Sequence, residues 1–174
     1  AGNVYVADTD NNRVQKFNDL GFFHAKWGTA GSGNGQFQGP TGVAVDASGN
    51  VYVTDYNNNR VQVFDPSGVL LAKWGSKGNN DGQFNLPQGI AVDSAGIIYV
   101  ADTANNRVQK FTSTVVEFVA KWGATGSGDG QFQDPYGIAV DAQGYVYVAD
   151  TGNNRVQKFS PTGQFITKWG SVDS

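Results

Sequence analysis

Cysteine and methionine are absent from the 174 residues, and histidine and glutamate occur once each. Without cysteine there is no disulfide framework, no thiol nucleophile and no thiolate metal site. Either redox compartment is compatible with that absence, which also suits an exported bacterial chain that must not misoxidise. A sequence with no methionine reads as a processed or excised segment. The single histidine, His24, cannot build a multi-histidine metal centre, and the turn-borne serines have no other candidate base. No catalytic, cofactor-binding or metal-ligating residue is therefore assigned. No apolar run approaches the length of a membrane span, and no signal sequence is present. The net charge of −3 makes a nucleic-acid partner unfavourable.

Hydrophobic residues make up 39% and charged residues 16%, the balance of a chain that buries a core. Fourteen of the fifteen acidic residues are aspartate. Aspartate favours turns and glutamate favours helices, so the imbalance points to loops and strands. Turns are supplied by 24 glycines, with asparagine and aspartate, rather than by the five prolines.

One phrase returns four times: VYVADTDNNRVQKF at the start, VYVTDYNNNRVQVF from Val51, IYVADTANNRVQKF from Ile98 and VYVADTGNNRVQKF from Val146. Asp8, Asp55, Asp102 and Asp150 are spaced by 47, 47 and 48 residues, and Trp27, Trp74, Trp122 and Trp169 keep the same interval. The extra residue of the third interval falls in TSTVVEFVAK, between Phe111 and Trp122. The repeats run approximately over 1–35 (incomplete), 36–82, 83–130 and 131–174. Such a period is the mark of a repeat architecture in one domain.

Each unit reads as four short strands. GVAVD (Gly42 to Asp46), or GIAVD in later copies, is small and apolar on both faces, which predicts a fully buried strand. VYVTD is β-branched and aromatic, RVQVF is amphipathic, and VLLAKWG follows the turn DPSG. No segment holds an apolar period of 3.6 residues. The fold class is all-β, and four antiparallel strands per unit predict a propeller blade.

The phrase PxGIAVDxxGNVYVADTxNNRVQKF, followed by KWG, closely resembles the NHL repeat family over all four copies. The resemblance implies a β-propeller, usually of six blades, with GIAVD lining the channel and KWG outermost. The first copy lacks its GIAVD strand, so about four blades and fifteen strands are expected. Four such blades would leave two apolar faces open, to be covered by further blades of a longer chain or by other copies. A compact four-bladed closure would need tighter curvature. The ending WGSVDS drops the GSGDGQF continuation, which reads as a cut or a true terminus.

Strand alternation puts the Gly-rich linkers and the Asp-Thr-x-Asn-Asn-Arg hairpins on one face, and the turns DASGN and DPSG on the other. Arg13, Arg60, Arg107 and Arg155 are placed to pair with Asp8, Asp55, Asp102 and Asp150, or with the inner-strand aspartates Asp46, Asp93 and Asp141. Identical use in every copy marks these as scaffold residues. GSGNGQF, GNNDGQF and GSGDGQF lack the helix of a phosphate loop and the several carboxylates of a calcium loop, offering only Asp81 or Asp129. They read as flexible inter-blade connections. The tryptophans read as rings buried between blades.

Positions that differ between copies are the ones free to serve a ligand. On the linker and hairpin face these include Thr41, Gln88 and Tyr136, then Asp134, and Tyr56 with Asn57. The expectation is a non-catalytic interaction scaffold that meets a protein or glycan partner on this face, in an extracellular or envelope setting. Self-assembly into a ring or fibre is the alternative. A metal-dependent hydrolase or lyase in the channel is disfavoured, because the inner strands offer only aspartates at their ends.

Overall fold

The computed structural model describes residues 2–113 and 116–170. Among these residues fifteen strands form four antiparallel sheets, one per repeat, in which spatial order follows chain order. Blade I has three strands: β1 (Val4–Asp8), β2 (Arg13–Phe17) and β3 (Phe23–Trp27). Blade II comprises β4 (Pro40–Val45), β5 (Val51–Asp55), β6 (Arg60–Phe64) and β7 (Leu70–Trp74). Blade III comprises β8 (Pro87–Val92), β9 (Ile97–Asp102), β10 (Arg107–Thr112) and β11 (Glu117–Trp122). Blade IV comprises β12 (Pro135–Val140), β13 (Val146–Asp150), β14 (Arg155–Phe159) and β15 (Phe165–Trp169). The longer third repeat shows as six-residue strands β10 and β11. Residues 114 and 115 of its insertion, and 171–174 of the ending WGSVDS, lie outside the described residues.

Each sheet has two packed faces, set by the alternation of its second strand. In β5, Val51 and Val53 point with Phe64 toward blade I, where they meet Val14, Trp27 and Phe37. Tyr52 on the opposite side joins Val61, Val63 and the blade III residues Ile98, Val100 and Phe111. Burial on both faces is why VYVTD and RVQVF are buried along their whole length. Blades III and IV repeat the arrangement around Tyr99, Val108, Phe132, Val146 and Phe159.

The inner strands differ from expectation. β4 is mostly half-buried and Val45 is 39% exposed, whereas β5 and β6 are the enclosed strands. An inner strand has a neighbour on one edge only. Its small residues serve close approach instead: a Cβ at Gly42 would overlap the Gln88 carbonyl of the next inner strand, and one at Gly89 the Tyr136 carbonyl.

The four sheets do not close into a ring. Val4 and Val6 are 51% and 41% exposed in blade I, while their counterparts Val51, Val53, Ile98, Val100, Val146 and Val148 are all at 0%. At the other end Trp169 is 48% exposed.

The linkers are pinned rather than loose. Across the first linker Gly31 N–H donates to Phe37 O and Phe37 N–H to Thr29 O, and Phe37 itself is fully buried. Gly33 N–H donates to Gln36 Oε1 and Gly35 N–H to Gln62 Oε1. The flexible connection expected from glycine content is overturned by glutamine side chains that occupy the backbone donors.

Candidate functional site

The repeated hairpin turns the chain between the second and third strands of every blade. In blades I, III and IV it forms one 3₁₀ turn, closed by an asparagine in the left-handed region: Asn12 at φ 52°, Asn106 at 51° and Asn154 at 52°. Asn59 holds the same conformation at 53°. Asparagine tolerates this region better than most residues, which explains the second Asn of the phrase.

Each remaining constant residue has a partner. Arg60 Nε donates to Asp55 Oδ2 at 2.8 Å, Arg107 to Asp102 at 2.6 Å and Arg155 to Asp150 at 2.6 Å. The terminal nitrogens of Arg60 donate to the carbonyls of Ser32, Gly33 and Gln36, so the guanidinium holds the linker arriving from blade I. Asp55 Oδ1 accepts from Gln38 N–H, and Gln62 Nε2 donates to Gln36 O. Toward the next blade, Thr103 Oγ1 donates to Pro135 O, and the Asn59 side-chain oxygen accepts from Leu86 N–H. The loop is a clamp between successive blades.

In blade I no linker carbonyl among the described residues meets the arginine, and the pair is more open. Arg13 Nε meets Asp8 Oδ2 at 2.7 Å, with side-chain exposures of 29% and 18%. The Asn11 hydrogen bond and then Arg13 hold the Asp8 carboxyl below its ordinary value.

The alternative partners Asp46, Asp93 and Asp141 do not pair with these arginines. They sit at the opposite end of the sheet, where strand register places Val45 against Val51 and Asp55 against Arg60. Asp46 instead accepts from the N–H groups of Ser48 and Asn50, closing the turn into β5, and from Tyr52 Oη at 3.2 Å. Tyr99 and Tyr147 donate likewise to Asp93 and Asp141 at 3.2 and 2.9 Å. Burial, then the Asp46 charge, pushes the Tyr52 phenol up to about 12, and burial, then the Asp93 charge, raises Tyr99. At Asp141 burial works upward, but the Tyr147 hydroxyl and the Tyr145 and Gln143 amides outweigh it and lower the carboxyl.

Four of the variable positions converge. Thr41, Tyr56, Asn57 and Gln88 line a cleft of about 380 Å³ on the linker and hairpin face, with Thr9, Asp10, Asn12 and Gln38 on the blade I side. Tyr136, 52% exposed, and Asp134 lie outside it, at the boundary of blades III and IV. The Asp134 backbone, at φ 49°, donates its N–H to Asn106 Oδ1.

Blade II alone has tyrosine in place of the hairpin threonine, and this reshapes the cleft. Thr9 and Thr103 bond the proline carbonyl of the next inner strand at 2.8 and 2.7 Å. Tyr56 makes no such bond, and Thr41 Oγ1 reaches Pro87 O at 3.4 Å. Thr54, fully buried, accepts from Gly42 N–H, donates to Gln88 O at 2.6 Å and lies 3.1 Å from Thr41 Oγ1. Sequence reasoning missed Thr54, although VYVTD against VYVAD elsewhere was the available signal.

Tyr56, Asn57, Gln38 and Gln88 line this cleft, and their side-chain polar atoms make no hydrogen bond among the described residues. The constant aspartates and arginines of the hairpins, by contrast, are all engaged in the fold. Amide groups, two threonine hydroxyls and one phenol can hold a neutral polar ligand through donors and acceptors of both kinds. His24, on the outer strand of blade I, is exposed and outside the cleft.

The NHL repeat pattern matches residues 1–17, 37–64, 84–111 and 132–159, more than half of the sequence. The chain belongs to the NHL repeat family. No curated protein matches it at the level of sequence. Among solved structures, a streptogramin B lyase aligns with 99% of this NHL chain and 52% of its own, at TM-score 0.73 and 16% identity. Virginiamycin B lyase from Staphylococcus aureus gives 99% and 53%, at TM-score 0.71 and 14% identity. Hydrazine synthase from Kuenenia stuttgartiensis gives 97% and 46%, at TM-score 0.71 and 14% identity. The chain thus spans about half the length of these propeller-like proteins, and at such identities the likeness is one of fold.

Proposed function

We propose that this NHL chain is a non-catalytic interaction module that takes a neutral, hydroxyl- or amide-bearing segment of a glycan or protein partner into the cleft formed by blades I and II with Gln88 of blade III. One observation carries the reading. The cleft gathers Tyr56, Asn57 and Gln88, whose polar groups are unengaged among the described residues, at positions that vary between otherwise near-identical repeats. The hydrogen-bonding groups, with the Tyr56 ring as an apolar surface, suit a ligand that offers both hydroxyls and carbon faces. Placement outside the cytoplasm or in the envelope belongs to the same reading, since a cysteine-free array is at no risk of misoxidation there.

The lyase neighbours offer a catalytic alternative. One of them is described as catalytically inactive when a histidine is replaced by alanine, so that enzyme depends on an imidazole. The one histidine of this chain, His24, is away from the cleft, which favours binding over turnover. A glycan array and a pulldown, each with wild type and Tyr56→Ala, test the reading. Retained partners that are lost in Tyr56→Ala support it. Binding unchanged by Tyr56→Ala and Gln88→Ala together would place the ligand elsewhere.

A further inference from the structure

Blade II carries unbalanced positive charge where the blades after it are balanced. In blade III the outer-strand lysine Lys121 pairs with Asp81 at 2.5 Å, and in blade IV Lys168 pairs with Asp129 at 2.6 Å. The matching lysine of blade II is Lys73, and the matching linker position holds Asn34. Lys73 has no ion pair or hydrogen bond among the described residues. A second lysine, Lys77, stands in the linker after β7 where the other linkers have Ala30 and Thr125. It too is unpaired among the described residues. Loss of an acid and gain of a base are separate changes in the sequence, and they act in the same direction.

Both lysines line one cleft of about 340 Å³, together with Ser32, Arg60, Trp74 and Ser76. No carboxylate is among its lining residues, and the Arg60 charge is met by Asp55, so the lysine charges stand uncompensated. The backbone that carries them is fixed. Lys73 lies opposite Gln62 in the β6–β7 ladder, and Lys77 bridges to Phe84. Trp74 packs on Phe111 at the junction of blades II and III, with ring centroids 5.5 Å apart, and the Ser32 carbonyl is held by Arg60 at 2.7 Å. The Ser32 hydroxyl makes no hydrogen bond among the described residues, and the Ser76 hydroxyl only accepts one, from Gln83 Nε2 at 3.4 Å. Both lysine side chains are exposed, hence open to an incoming anion.

We propose that this cleft binds a phosphoryl group, as free phosphate or as a phosphate monoester. Two uncompensated ammonium charges match a dianion, and its three or more acceptor oxygens match two ammonium and two hydroxyl donors. A carboxylate fits less well. It carries one charge and is best met by two parallel N–H bonds from one guanidinium. The Arg60 fork is already spent, with Nε on Asp55 and the terminal nitrogens on the carbonyls of Ser32, Gly33 and Gln36. Lysine meets phosphate as a point charge and needs no such fork. The site shares no lining residue with the neutral cleft around Tyr56, so either can fail without the other.

Titration with sodium phosphate, and separately with glucose 1-phosphate, tests the proposal at about pH 8, where the group is dianionic. Ionic strength is held constant with sodium chloride, and backbone amide shifts are read by NMR. Saturable shifts are expected at Gly75, Ser76 and Lys77, with half-saturation on the order of 1 mM. Lys77→Gln removes one ammonium group. Asn34→Asp gives this linker the acid that the next two already carry, and so draws Lys73 into a pair. Each variant is expected to bind about tenfold more weakly while its other amide shifts stay those of wild type. Tighter binding of the ester would identify a phosphorylated partner, and tighter binding of inorganic phosphate a free-anion site. Shifts that never saturate, saturation confined to other residues, or an affinity unchanged in either variant would each overturn the proposal.

Discussion

Arg60 donates Nε–H to Asp55 at 2.8 Å while its terminal nitrogens hold three carbonyls of the preceding linker. The pair is 8% and 0% exposed, so removing the guanidinium would strand a buried carboxylate and three carbonyls. Loss of one partner from a buried pair costs about 3–5 kcal/mol. For a chain of this size that is a fall in Tm on the order of 10 °C. Arg60→Ala is expected to show that fall by calorimetry. Arg13→Ala is expected to show a clearly smaller one, since among the described residues the Arg13 side chain bonds only Asp8 and is 29% exposed. Equal losses would mean that the linker contacts contribute nothing.

The tryptophan at each junction is expected to matter for its volume rather than its nitrogen. The indole N–H groups of Trp27, Trp74 and Trp122 are buried and lack a partner among the described residues. Replacing Trp74 by Ala empties the space against Phe111 and is expected to cost about 3–5 kcal/mol. Trp74→Phe keeps a ring there and removes an unsatisfied donor, so less than about 1.5 kcal/mol is expected. Urea denaturation of both variants decides it, and similar losses would show that the N–H has a role the geometry does not display.

Blades III and IV each tie an outer-strand lysine to the incoming linker: Lys121 to Asp81 at 2.5 Å and Lys168 to Asp129 at 2.6 Å. The corresponding lysine of blade II, Lys73, faces a linker with Asn34 in place of aspartate. Asn34→Asp is expected to supply the missing pair. The existing pairs are about half exposed, so the gain is at most about 1 kcal/mol and should shrink in 1 M salt. A salt-independent change in the melt would show a local effect of the aspartate other than pairing with Lys73.

Much of this architecture was legible because a repeat states each rule four times. Periodic Asp and Trp positions located the blades, and alternation assigned each loop to a face. The partner of Arg60 was open between Asp55 and Asp46, because both precede it at plausible distance. Only strand register, which puts Asp46 at the far end of the sheet, separates them. Linker rigidity was hidden for a similar reason: Gln36 and Gln62 look like surface residues until the fold brings them to the glycine amides. Thr41, Tyr56, Asn57 and Gln88 were found by variation alone. Thr54 escaped because its neighbours in VYVTD read as core.

Stability is expected to be broad in pH, falling at both ends for different reasons. The carboxyls of Asp8, Asp65 and Asp141 are held below 3.8 in the folded chain. For Asp8 the first cause is Asn11, and for Asp65 it is the Ser67 hydroxyl. A lowered folded value means that the unfolded chain takes up protons first. The contribution is therefore complete above 3.8 and is lost as pH falls through the folded values. Tyr52 works in the other direction, raised from 10.0 to about 12 by burial and then by Asp46, with Tyr99 raised as well. The unfolded phenol ionises near 10, so this contribution is complete below 10 and is lost as pH rises through about 12. Urea midpoints across pH should trace both arms, and Tyr52→Phe should flatten the alkaline one. An alkaline arm unchanged in Tyr52→Phe would mean that the loss comes from other groups and that the Tyr52–Asp46 contact does not hold the phenol neutral.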